Sequence, residues 1–344
     1  MKKYLLPEKG EFYKANLHTH TTVSDGQMTP EEIKDAYMAQ GYSIVAYSDH
    51  EILVPHNELT DENFLAITAA EIAINLYHTS PAYSFIKTYH FNLYSKEPTK
   101  NILPVFDKEY TAPFTNLVVS KEQEAHTFKR AYTKESVNET IARANADGFL
   151  VAYNHPVWSL QDYTDYEYLQ GIWGIECFNS GTNREGLPDT DRPFHDLLSQ
   201  GKTVFPLATD DTHIPEDRFG GFVMVKAENL EYDNVLTALE RGDFYASTAP
   251  IIERLYIEDG VVHIECSPVR EIRLNTERRY AWSVRKKEGE ALTSADMDIN
   301  VYLWQTAQED KWRKPFIRLT LVDEQGKTAY TRAYFLEEIL DTTK

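Results

Sequence analysis

Cysteine is nearly absent from this chain: Cys177 and Cys266 are the whole supply in 344 residues, far apart and without CxxC spacing. That excludes a disulfide scaffold and a thiolate-rich structural zinc site, and it fits a reducing cytosol. Basic residues are also scarce. Against 54 Asp and Glu there are 35 Lys and Arg, a formal charge of −19. A nucleic-acid polymer is therefore not expected as a partner, because phosphate backbones want a basic surface. A small phosphorylated ligand stays open, since bound cations invert a local field. Long apolar runs are missing as well. The opening MKKYLLPEKGEFYK is basic but has only a two-residue apolar run before Pro7 and Glu8, and no later stretch reaches the length of a membrane span. The expectation is a cytoplasmic protein without membrane contact.

What is present suits a packed globular protein. Hydrophobic residues make up 42% and charged ones 26%, so a sizeable core is available. The length fits one large domain plus a smaller one. From Ala15 to about residue 248, seven short β-prone runs each end in charged or imidazole residues: Ala15–His20, SIVAYSDH, FLAITAAEI, YHFNLYS, FLVAYNHP, IWGIECFN and KTVFPLATDDTH. The first helix is marked by a capping box (Thr29 with Glu32), by Pro30 at its first position and by Gly41 after its end. ESVNETIARANADG, RPFHDLLSQG and EYDNVLTALERG read as further helices closed by glycine. Alternating β and α, with polar residues at strand ends, predicts a parallel barrel-like α/β domain over residues 1–249. Residues 97–133 break the rhythm and read as an insertion over the site. From residue 250 to 344, period-two runs (IERLYIEDG, VVHIECS, DINVYLWQT, PFIRLTLVDEQG, AYTRAYF) predict a small β-sandwich.

The strand-end residues are ligands by type. His18 and His20 are two apart on a predicted strand and so share a face. Asp25 follows in SDG, where its bland role is an Asx turn. Asp49 and His50 are neighbours, so one was expected to face the site, with His50 as ligand and Asp49 orienting a group beside it. Glu71 sits among apolar residues in AAEIAI; a buried carboxylate there needs an ion pair or a metal. His90, His155 before Pro156, and Asp211 with His213 complete nine candidates, with Asp210 expected to point away as a supporting group. Imidazole with carboxylate suits Zn, Mn or Fe. His56, His78, His126, His195 and His263 are not ligand candidates.

These strings, in this order, resemble the polymerase-and-histidinol-phosphatase (PHP) superfamily of metal-dependent phosphoesterases. The likeness is closest in NLHTHTTVSDG…TPEEIKDAYMAQGYSIVAYSDHE and continues through Glu71, His90, the NHP at His155 and the DxH at Asp211–His213. It covers roughly residues 12–250. The resemblance implies a distorted seven-stranded barrel holding two to three divalent ions at its C-terminal face. It places His18, His20, Glu71 and Asp211 on the first ion, Glu71, His90 and His155 on the second, and Asp25, His50 and His213 on the third. Many members carry histidine where this chain has Asp25. The C-terminal β-sandwich looks like one appended to some bacterial members of unassigned substrate.

The expected function is hydrolysis of a small phosphorylated molecule, monoester or diester. Two ions bridged by Glu71 would share a water and lower its pKa, giving a hydroxide nucleophile. Glu71, Asp49 and Asp210 are the candidate catalytic carboxylates. Arg184, Arg218 and Asn179 (with Asn183 in the same loop) are candidates for substrate binding. Glu176 reads either as a carboxylate behind the ligands or as an ordinary buried acid. The alternatives are a metal-dependent amide or ester hydrolase and a non-catalytic, metal-stabilised binding protein.

Overall fold

The computed structural model describes residues 2–77, 86–114, 116–308 and 314–340. Among the described residues eighteen strands follow one another, beginning with β1 (Lys2–Tyr4), β2 (Glu11–Asn16), β3 (Ile44–Tyr47), β4 (Leu65–Asn75), β5 (Thr88–Ser95), β6 (Phe149–Tyr153), β7 (Gly174–Asn179), β8 (Phe205–Thr209) and β9 (Phe222–Ala227). Then come β10 (Phe244–Ser247), β11 (Ile252–Glu258), β12 (Val261–Val269), β13 (Glu271–Thr276), β14 (Ala281–Arg285), β15 (Leu292–Asp298), β16 (Phe316–Val322), β17 (Thr328–Thr331) and β18 (Tyr334–Phe335). They make a mixed α/β fold with one large sheet, ordered β14-β13-β16-β17-β10-β9-β2-β3-β4-β5-β6-β7-β8 with β18 on β16, and a four-stranded antiparallel sheet β1-β11-β12-β15.

The helices form where the sequence marks them. α1 (Pro30–Met38) carries the full Thr29/Glu32 capping box and buries Ile33 and Tyr37. α2 (Lys121–Ala125) lies in the 97–133 segment, and α3 (Lys134–Ala146) follows it, capped by Thr133. α4 (Tyr163–Tyr166) and α5 (Ser180–Arg184) are short. α6 (Arg192–Ser199) and α7 (Tyr232–Arg241) bury apolar stripes against the sheet, and Gly242 ends α7 in the left-handed conformation that glycine adopts freely. No helix among the described residues is long and apolar enough to cross a membrane.

Two expectations need correction. The site-bearing strands are not all parallel. β2, β3 and β4 are parallel to their neighbours in that run, as are β6, β7 and β8, but β5 runs antiparallel to both β4 and β6. Asn75 sits opposite Thr88 and Ala69 opposite Tyr94, so β5 runs back along β4, an antiparallel register that does not require the crossover a parallel pair needs. The reversal brings the start of β5, not its end, to the functional edge, so His90 pairs opposite Ala73. The second correction concerns DINVYLWQT, read as a strand. Only its first residue, Asp298, belongs to β15; Asn300–Gln308 form α8, whose Tyr302 is buried while Val301 and Trp304 are exposed. Asp298 accepts from the Asn300 backbone N–H at 2.8 Å and starts the helix. So short an apolar run does not separate the two periods.

The last strand of the site-bearing run is tied to the first. Thr19 and Thr212 form a parallel bridge, Asp211 N–H donates to the His18 carbonyl at 3.0 Å, and His20 N–H donates to that of Thr212 at 2.9 Å. The chain's second half is joined just as firmly. β17 hydrogen-bonds to β10, β1 pairs with β11, and α9 (Leu336–Ile339) closes the chain behind β18. Phe316 and Phe335 sit in the core of the first half, while Leu5, Leu6 and Tyr245 sit in the core of the second.

Candidate metal centre

Five strand ends, one strand interior and the loop that carries Asp25 deliver the nine candidate ligands to one place. His18 and His20 follow β2, His50 follows β3, Glu71 lies within β4, His90 opens β5, His155 follows β6, and Asp211 and His213 follow β8. Three of these exits use backbone that L residues seldom adopt: Glu51, His155 and Asp211 have φ of 62°, 24° and 52°. At the second of them the strict alternation of a strand fails, and Asn154 and His155 both turn toward Glu71.

The candidate ligands meet in three groups that share members, and His18 and His155 meet Glu176 in a fourth. His18, His20, Glu71 and Asp211 form one, Glu71, His90 and His155 a second, and His20, Asp25, His50 and His213 a third. Asp211 Oδ1 lies 3.1 Å from Nε2 of both His18 and His20. Glu71 Oε1 is 3.3 Å from His18 Nε2, 3.1 Å from His90 Nδ1 and 3.3 Å from His155 Nε2. Its other oxygen, Oε2, is 3.4 Å from His20 Nε2 and 3.1 Å from His50 Nδ1. In the third group Asp25 stands 3.6 Å from His213 and 3.7 Å from His50. Asp25 and His213 are its solvent-facing members.

A cation fits these groups. Ligands held at about 2.0–2.2 Å from one ion lie about 3.0–3.5 Å from each other, and the first two groups show those separations. His18 Nε2 and His20 Nε2 approach to 3.1 Å, a poor contact for two lone pairs unless something positive lies between them. Asp211 Oδ1 and His20 Nδ1 are buried without a hydrogen-bond partner, which for such polar atoms is costly unless an ion supplies the missing contact. The clusters therefore suggest divalent metal binding.

The electrostatics agree. Burial works to raise the pKa of Glu71, yet His90, His18 and His50 hold it well below the usual carboxylate range. Asp211 is likewise held down, chiefly by His18 and His20 against the burial penalty. Burial lowers His50 to about 3, which keeps it a neutral imidazole able to coordinate. Burial also works against protonation of His155, but Glu71 and Asp211 outweigh it and raise this ring to about 9 in the absence of metal.

Behind the ligands stand groups that fix their geometry. Glu176 Oε1 accepts from His18 Nδ1 at 2.8 Å, so His18 presents Nε2 to the centre. Glu176 also takes the Thr209 hydroxyl at 2.6 Å and the His155 backbone N–H at 2.9 Å. Of its two readings, the carboxylate behind the ligands is the one its contacts match. Asn154 Nδ2 donates to Glu71 Oε1 at 2.7 Å, and Ser159 Oγ sits 3.2 Å from His155 Nδ1. Strand alternation alone would point Asn154 away from the site; the positive φ at His155 brings it in and has no local sequence signal. Phe114 of the 97–133 segment stacks on His50 at 4.8 Å, and Trp158 lies edge-on to His155 at 5.0 Å.

Several expected roles change. Asp49 reaches no ligand group: its oxygens take the backbone N–H of Thr21 and Ser24 and both hydroxyls, clamping the loop that carries Asp25. Asp210 accepts from the N–H groups of Phe219, Gly220 and Gly221 and from the Tyr37 hydroxyl. Both carboxylates are engaged in holding loops beside the ligands. Asn179 is buried, with its amide donating to Glu176 and Asp211, and its carbonyl caps α5; it supports a ligand and does not face a substrate. Arg184 Nε donates to Asp217 at 2.6 Å, and Asp217 in turn holds the backbone of His213 and Ile214. Arg218 Nε folds back onto the Pro215 carbonyl. His56, His126, His195 and His263 join none of the groups among the described residues; His78 lies outside the described residues.

No protein-family model matches the chain, and no curated protein matches it significantly. Similar solved structures include a two-domain protein containing a predicted PHP-like metal-dependent phosphoesterase from Bacteroides vulgatus, 14% identical, covering 96% of this chain and 98% of that one at a TM-score of 0.45. A candidate metal-dependent phosphoesterase from Bifidobacterium adolescentis is also 14% identical, covering 68% of this chain and 96% of that one at 0.36. A lesion-specific endonuclease from Pyrococcus furiosus is 12% identical, covering 67% of this chain and 56% of that one at 0.39.

Proposed function

We propose that this protein is a metal-dependent hydrolase of the PHP type, acting on a small phosphorylated molecule. The observation that carries the proposal is Glu71, a buried carboxylate whose two oxygens face different sets of imidazoles. A carboxylate so placed could serve two ions, one on each oxygen. The seven strands β2 to β8, tied end to start by the Thr19–Thr212 bridge, are read as the distorted barrel of that superfamily, and the second half as its appended β-sandwich.

His18, His20, Glu71 and Asp211 would hold one ion, Glu71, His90 and His155 a second, and Asp25, His50 and His213 a third of Zn, Mn or Fe type. Bound there, divalent ions supply Lewis acidity and lower the pKa of a coordinated water towards neutrality. The protein's own part is positional. Glu176 selects the His18 tautomer, Asn154 orients Glu71, and Ser159 aligns His155. Phe114 and Trp158 give the site apolar walls that limit water around the ligands. Three ligand carboxylates (Asp25, Glu71 and Asp211) against up to six positive charges leave a net cationic pocket within an acidic protein, which favours a phosphate group over a neutral carbonyl.

The test is metal content of the purified chain, followed by hydrolysis of a generic phosphomonoester and a generic phosphodiester with Mn, Fe or Zn added. Bound ions, with turnover that disappears in His18→Ala and Glu71→Ala, support the reading and sort monoester from diester. Metal with no phosphate turnover moves the reading to amide or ester bonds. A folded chain that takes up no divalent ion sinks it.

A further inference from the structure

The turn that presents His155 depends on a loop whose far end is held by the second half of the molecule. Within the turn, Val157 N–H donates to Asp189 Oδ1 at 3.0 Å and Trp158 Nε1 donates to Glu185 Oε2 at 2.8 Å. Both acceptors belong to loop 185–191, which is mostly exposed from residue 185 to 188. The loop ends at Asp191, where Arg318 of β16 donates through Nη2 at 2.9 Å. Arg318 is buried, its guanidinium 5.6 Å from the Phe194 ring, with Nε left without a partner. Asp191 is the N-cap residue of α6, yet its side chain makes no capping bond. An aspartate there ordinarily caps, worth about 1 kcal/mol; here the carboxylate is turned to Arg318 instead.

We propose that Arg318 is a positioning residue for the metal centre. Through Asp191 it fixes loop 185–191, and the loop fixes the turn at His155, whose strained backbone needs outside support. The appended β half thereby sets the affinity of the ion served by Glu71, His90 and His155. This rests on the metal-centre reading above.

The full-length chain, Arg318→Met, Arg318→Lys and Asp191→Asn are equilibrated at fixed free zinc, and bound zinc and thermal unfolding are measured on each. Arg318→Met is expected to weaken one zinc site about tenfold, and Arg318→Lys to recover part of the loss. Asp191→Asn keeps a good capping residue on a partly exposed position, so its stability should hold while the same site weakens. That variant carries the test should Arg318→Met fail to fold. Wild-type zinc affinity in Asp191→Asn, or a fall in unfolding temperature with zinc binding untouched in both variants, overturns the proposal. A wild-type chain without zinc is a separate outcome, and it overturns the metal-centre reading itself.

Discussion

Glu71 is the residue on which the centre turns, because both of its oxygens are shared among five imidazoles. Glu71→Gln should cut turnover by at least about 100-fold and lower metal content, since outer contacts alone are worth 10–100-fold. Glu176→Gln is subtler. It leaves the ligands intact but weakens the acceptor that selects the His18 tautomer, so metal affinity should fall about tenfold while the circular dichroism spectrum stays unchanged. The imidazoles also predict a proton count. His155 is raised to about 9 without metal, so at pH 7.5 the metal-free ring holds a proton that an ion must displace. Zinc addition in weak buffer should therefore release protons, and affinity should fall as pH falls. A pH-independent affinity between 7 and 9 would contradict this. Asp49 belongs with the loops: Asp49→Ala orphans buried donors on Thr21 and Ser24 and should cost about 1–3 kcal/mol in urea unfolding.

At the scale of elements, what was legible in the sequence was whatever local chemistry dictates. Thr29, Pro30 and Glu32 announce α1 because a capping box is a contact between near neighbours. The seven β-prone runs are strands, and their ligands converge, because each run's polar tip has nowhere to go but the sheet's open edge. The direction of β5 was not legible, since a hairpin and a crossover begin with the same residues. Nor were the positive-φ exits at Glu51, His155 and Asp211, the second of which brings the adjacent Asn154 and His155 to one side. Segment 97–133 was marked only by its composition; its anchor is the buried pair of Arg130 with Glu51, which neighbours His50. Breaking one partner of such a pair strands the other, so Arg130→Met should cost about 3–5 kcal/mol in urea unfolding. Restoring balance with Glu51→Gln in the same chain should recover much of that, whereas equal losses in single and double variants would show that the ion pair is not the anchor.

Across the whole molecule, the two halves are one sheet system and not beads on a linker. β17 completes the large sheet by pairing Tyr245, Ala246 and Ser247 of β10 with Thr331, Tyr330 and Ala329. In return β1 crosses to pair with β11, and Leu5 and Leu6 enter the second core. Phe316 and Phe335 fill the first core from the far end of the chain. A composition shift near residue 250 suggests a boundary, but hydrogen bonds between strands so distant in sequence leave no trace in local pattern. Such exchange joins the halves into one cooperative unit. Full-length protein should melt in a single transition by both tryptophan fluorescence and circular dichroism. A chain ending at Ala249 would expose the β10 edge and the vacated Phe316 and Phe335 sites, an edge of the kind that recruits other chains. It should aggregate and fail to retain metal after gel filtration. Recovery of that shorter chain as a folded monomer with the full metal complement would show that the first half stands alone, and that the sheet shared with the second half contributes nothing to the centre.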